Sequence, residues 1–146
     1  AIIMQTGGIR SISQMGGLSK KMPLTAIAAL IGFLAIIGVP PLNGFHSEWM
    51  IFFGSFAGAL QEGNTIKLII TGIALAGTPL TAGYALWTMR RIFFGQLPDH
   101  LKNVKEPPMT IIVPLLFLAF ITLLLGIYPA LLTERIFPVM ESVLGS

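Results

Sequence analysis

The chain has 146 residues, 54% of them hydrophobic and 10% charged, with a net charge of +3 and a mean hydropathy of +0.84. Soluble domains carry roughly 25% charged residues, so this composition excludes an ordinary soluble domain and places the chain in a membrane. Without cysteine there is no disulfide framework, thiolate nucleophile or cysteine metal site, and basic residues confined to loops fit membrane orientation better than nucleic-acid binding.

Residues 1–22 begin AIIMQTGGIR. This stretch reads as the end of an apolar helix followed by a loop. It lacks the basic leader and small-residue cleavage site of a signal peptide. The expectation is a chain that forms part of a longer protein. Gly16, Gly17 and Pro23 punctuate the loop.

Residues 23–60 are apolar but interrupted by GVPPLNGFHSEW, residues 38–49. The region can be two helices joined at Pro40–Pro41, or one crossing made of two half-helices with its break at 38–45. A helix from Pro23 to Val39 spans about 25 Å, short of a ~30 Å hydrocarbon core. Loop charge separates the two readings. With one crossing, Arg10, Lys20, Lys21, Arg90, Arg91, Lys102 and Lys105 share a side and only Lys67 and Arg135 face the other, seven to two. With two crossings the split is five to four. The asymmetry favours one broken crossing, with the basic loops cytoplasmic and the C-terminus outside.

A polar turn at 61–65 leads to a second apolar region, 66–94. Gly72 and Ala76 have the small-xxx-small spacing of close membrane helices, Pro79 is expected to kink the segment, and Lys67 serves as an anchor. Arg90, Arg91 and Trp87 anchor the far end. A basic loop, 95–108, precedes a third apolar region, 109–132, in which Pro114 lies early and Gly126 and Pro129 mark the end. The tail, 133–146, reads as interfacial. The fold class is therefore all-α: a polytopic membrane protein with three crossings, the first discontinuous.

Few residues can carry chemistry. Pro40 and Pro41 have no N–H, which deprives the carbonyls of Ile36 and Ile37 of their helix donors. Such a break persists in a membrane only where protein or water satisfies it, and broken helices line ion sites. Asn43 and Gly44 extend the break. Glu48 is the sole carboxylate within an apolar region. Burial and the helix N-terminus expected at 43–45 act on its charge in opposite senses, so it is the candidate for proton uptake and release. His46, two residues away, points to another face of a helix and is a second titratable candidate. Thr71, Thr78, Thr81 and Tyr84 can line a polar path, or bond their own helix carbonyls. The sequence shows no nucleotide-binding glycine motif, metal-ligand cluster, nucleophile–base pair or haem ligand pair. No catalytic residue, cofactor or metal is expected.

GGLSKKMPLTAIAALIGFLAIIGVPPLNGFHSEWMIFFGSF, LTAGYALWTMRRIFFG and VKEPPMTIIVPLLFLAFITLLLGIYP resemble the C-terminal half of the antiporter-like membrane subunits. These are the large subunits of Mrp-type Na+/H+ antiporters, the proton-pumping subunits of complex I and their counterparts in membrane-bound hydrogenases. The resemblance covers nearly the whole chain. It implies about fourteen helices built around two inverted repeats of five, each with a discontinuous helix. GVPPLNGF matches the break in the second repeat. Glu48 matches the Lys or Glu thought to end the proton path, and Glu there aligns the chain with the complex I middle subunit and hydrogenase-type members. The first-repeat Glu–Lys pair and the central Lys of the family have no counterpart in this sequence. The resemblance therefore implies a partial ion path, completed by other membrane subunits or by the segment carrying the missing helices. Two alternatives are a structural module that packs neighbouring subunits without carrying ions and, less supported by the residues, a transporter of an organic substrate.

Overall fold

Proline fixes φ and has no N–H to lose, which suits it to a helix's first turn. Pro23 accordingly opens α2 (Pro23–Ile37) in the computed structural model, which describes residues 1–144. A short helix, α1 (Ile2–Gln5), and two 3-10 turns (Ile12–Gln14 and Leu18–Lys20) precede it. α3 (Asn43–Gln61), α4 (Thr65–Phe93), α5 (Met109–Ile127) and α6 (Ala130–Leu144) follow, with a 3-10 turn (Asp99–Leu101) between α4 and α5. Every described regular element is helical. α4 and α5 are long and apolar enough to cross a membrane, whereas α2 is apolar but has only 15 residues.

The helix ends follow local chemistry. Asn64 caps α4 by accepting from the backbone N–H groups of Ile66 and Lys67, both at 3.1 Å. Pro79 lies inside α4, which continues through it as one helix. The third apolar region divides: α5 stops at Ile127, where Tyr128 donates to the Leu124 carbonyl, and the chain resumes as α6 after Pro129. Proline at 129 cannot donate the next helical bond. Gly145 and Ser146, the last residues of the expected tail, lie outside the described residues.

The best-packed core lies at the basic-loop end. Met15, Leu18, Met22, Ala26, Met89, Phe93, Leu101 and Val104 form one buried cluster. It joins the N-terminal loop, the start of α2, the end of α4 and the loop after it. Ala85, Met89 and Phe93 recur every four residues, which puts them on one face of α4. Farther along, α4 packs on α3, and large side chains such as Ile73 and Leu80 stay exposed. Water drives burial only where the chain meets water; in lipid, apolar surface gains little from being covered. α5 turns Ile112, Ala119 and Gly126 inward at seven-residue spacing and packs on both α2 and α3.

Glu106 joins the loop to the helices. Its Oε1 accepts from Leu24 N at 2.6 Å and Thr25 N at 3.3 Å, and its Oε2 accepts from Thr25 Oγ1 at 2.9 Å. The residue before Pro23, Met22, has no capping side chain. Glu106 therefore satisfies the orphan donors of α2 from 82 positions away and places negative charge at the positive end of that helix. Glu106→Ala should cost about 1–2 kcal/mol, the usual price of a lost cap. Thermal unfolding of the complete subunit measures it, and an unchanged Tm refutes the cap.

Candidate functional site

The break is built from both sides. α2 ends in an αL residue, Gly38 (φ +74°), whose N–H donates to Ala35 O at 3.2 Å, while Val39 N donates to Leu34 O at 3.1 Å. This pair of bonds is a Schellman close, and it favours glycine at the αL position. The Pro40–Pro41 peptide is cis, and the turn around it closes with Leu42 N donating to Val39 O at 2.9 Å. α3 starts at Asn43, so the break occupies 38–42, three residues less than the sequence suggests. Phe45 N already donates to Leu42 O at 3.2 Å, which draws 43–45 into the helix. Among the described residues, no hydrogen bond reaches the carbonyls of Ile36 or Ile37.

The elements around the break meet at glycines. A side chain on Gly44 would collide with the Ala35 carbonyl, and one on Gly126 with Pro41 O and the Leu42 backbone. Gly38 is covered by an acid: a Cβ there would lie 2.6 Å from Glu48 Oε2. Helical side chains lean toward the N-terminus of their own helix. Glu48, sixth in α3, therefore reaches back over the break to the end of α2. Gly38 itself lies beside Gly44 in the first turn of α3. The carboxyl therefore sits where the end of α2, with its backbone oxygens, meets the start of α3.

His46 goes elsewhere. It lines a groove of about 740 Å³ between α3, the end of α5 and α6, beside Leu125, Pro129 and Thr133. Its Nδ1 is buried without a hydrogen-bond partner among the described residues, and its ring meets Phe45 edge-on at 5.8 Å. Asn43 lines the same groove. The break thus gathers Pro40, Pro41, Gly44 and Glu48, with Gly38 and Gly126, and separates them from His46.

On α4, Thr71 is buried and its hydroxyl donates to Lys67 O at 2.8 Å. That uses its one proton, so Ser55 is the donor in the 2.6 Å Ser55–Thr71 bond joining α3 to α4. Thr81 donates to Gly77 O at 3.4 Å, Thr78 is half-buried and Tyr84 is exposed. Thr71→Val should cost about 1 kcal/mol, and adding Ser55→Ala should cost little more, because both remove the same bond. Additive losses in Tm would refute the pairing. Among the described residues no three His, Cys, Asp or Glu side chains gather to hold a metal.

Residues 1–74 match the family described as "NADH:quinone oxidoreductase/Mrp antiporter, TM". The chain belongs to this family. Antiporter-family relatives match nearly the whole of it. The F(420)H(2) dehydrogenase subunit M of Methanosarcina mazei is 30% identical over 143 residues, covering 98% of this chain and 27% of the relative. The NADH-quinone oxidoreductase subunit M of Rhodobacter capsulatus is 36% identical over 132 residues, 88% of this chain and 24% of the relative. A Na(+)/H(+) antiporter subunit A1 from Staphylococcus epidermidis is 31% identical over 148 residues, 93% of this chain and 18% of the relative. The chain thus spans about a quarter or less of these antiporter-family relatives.

Two site residues were not legible beforehand. Gly38 seats the carboxyl of Glu48, and Gly126 lets α5 approach the break. The sequence marked Gly126 only as a helix end, and nothing in it ties position 126 to position 41.

Proposed function

We propose that this chain supplies the outward half of an ion path in a multisubunit membrane complex, with Glu48 as the group that takes up and releases a proton, or holds Na+ in its place. The observation that carries the reading is the Glu48 carboxyl folded onto Gly38, at the end of a helix whose last carbonyls lack donors. An acid within an apolar segment is costly, and such residues face a cavity or an ion route.

α2, the break and α3 form the two halves of one crossing in this reading. In support, α4 packs beside α3 and then beside α2, and its last turn meets the start of α2. The 15 residues of α2 span about 22 Å, too few for a ~30 Å core alone. The basic loops face the cytoplasm and the C-terminal end faces outside. His46 is a second protonatable group on the groove side of α3, and Thr71, Thr78, Thr81 and Tyr84 are candidates to hold water along α4. The inward part of the path belongs to the segment or subunit that carries the remaining helices.

Gradient-coupled transport by the complete complex carrying Glu48→Gln is the test, and unchanged pumping overturns the assignment. A second reading, a packing module without ion flow, draws on the close seat of Gly126 against the break. It expects Glu48→Gln to be silent and a bulky residue at Gly72 or Ala76 to dissociate the complex. Gly72 has open space around it within this chain, so Gly72→Leu reports on neighbouring subunits and not on this chain's own fold.

A further inference from the structure

A second cavity, of about 410 Å³, opens at the basic-loop end, far along α4 from the break. Its walls are the last turns of α4 and residues 13–16 and 94–96. Arg90 and Arg91 both line it, with Trp87, Ser13 and Gln96. No acidic side chain lines it. The two acids of the nearby loop are engaged elsewhere: Asp99 pairs with Lys102 at 2.6 Å, and Glu106 caps α2. Among the described residues, neither arginine has an ion-pair partner.

The Arg91 guanidinium lies 5.6 Å from the centre of the Trp87 ring. A guanidinium held over an indole face by cation–π attraction still has its N–H groups available to donate. Such a fork suits the oxygens of a phosphate. Below it, Leu80, Tyr84, Trp87 and Arg91 follow the i, i+4, i+7, i+11 spacing of one helix face. Leu80 is 75% exposed, Tyr84 59% and Trp87 56%. An exposed apolar track therefore runs from the arginine pocket along α4, and Trp87 within it is the residue type that favours a membrane–water interface.

We propose that this cavity binds the phosphate headgroup of an anionic phospholipid, with an acyl chain laid along the Leu80–Tyr84 face of α4. A free phosphate has use for the arginines but none for the apolar track beneath them; a lipid uses both. The charge pair is also not alone at this end of α4, because residues 13–16 and 94–96 line the cavity beside it.

The complete subunit in its complex, held in phosphatidylcholine nanodiscs with a minor fraction of phosphatidylglycerol, provides the test. Retained phosphatidylglycerol is counted by native mass spectrometry after mild extraction. The intact complex should retain it over phosphatidylcholine. Combined Arg90→Gln and Arg91→Gln should weaken that retention about thirtyfold, at about fivefold per basic side chain near the surface, with Glu48→Gln leaving it unchanged. Arg91→Lys keeps the charge and loses the fork, and a loss of severalfold is expected; this variant carries the comparison if the double variant fails to assemble. Equal retention by variant and parent overturns the proposal. So does full displacement by inorganic phosphate alone, which would make the pocket a free-anion site. Loss of an acidic neighbouring subunit, with lipid retention unchanged, would assign the arginines to a protein partner and also overturn it.

Discussion

Glu48→Gln is expected to lower gradient-coupled transport by about a hundredfold, the lower end of what a positioned proton-transfer group contributes. The amide is isosteric and fills the same place over Gly38, but it cannot take up or release a proton. Folding should be spared, because the Glu48 side chain has no hydrogen bond or ion pair among the described residues. An unchanged melting temperature with lost pumping is therefore the expected pair of results. Glu48→Asp separates chemistry from reach. It keeps an acid but withdraws it from Gly38 by one methylene, about 1.5 Å on covalent geometry. Transport between parent and Gln levels is expected if proximity to the α2 end matters. Parent-like transport by the Asp variant would leave an acid requirement but remove the role assigned to Gly38.

The largest stability effects are expected at Gly44 and Gly126. At both, a methyl group would run into backbone of a facing element, and backbone cannot swing aside as a flexible side chain can. Overpacking costs typically 1–3 kcal/mol, and a backbone clash should reach at least about 3 kcal/mol at each site. Gly44→Ala presses α3 away from Ala35, while Gly126→Ala presses α5 away from Pro41 and Leu42. Either variant should lower the Tm of the solubilised subunit and the yield of assembled complex. Gly54→Ala and Gly58→Ala are the controls, because nothing lies within 4 Å of a Cβ at either position. If all four substitutions behaved alike, the close approaches at the break would not govern stability.

These expectations rest on different levels of the protein. Composition alone decided the membrane setting, because a chain with 10% charged residues cannot cover itself in water. The long helices were legible as apolar runs between Pro23, the polar turn at 61–65 and the basic loop at 95–108, since prolines and polar turns act on their immediate neighbours. The break was legible for the same reason: Gly38, Pro40 and Pro41 are local instructions. So was Glu48 as a candidate, one acid in an apolar stretch. The family followed from the motifs, and the comparison with relatives bears it out.

What the sequence did not determine is where those groups point and what they meet. Glu48 and His46 are two residues apart, yet one reaches back over the break and the other lines the α5–α6 groove. That outcome depends on the lean of helical side chains and on which helix faces each side. Glu106 read as one charge in a loop and proved to be the cap of a helix 82 positions earlier. Arg90 and Arg91 read as anchors, and only the approach of residues 13–16 and 94–96 turns them into a pocket. Local chemistry determined where the chain of this antiporter-family protein turns, breaks and holds an acid. The tertiary structure decided which distant backbone and side-chain groups those features face, because that depends on pairings between segments that are far apart in sequence.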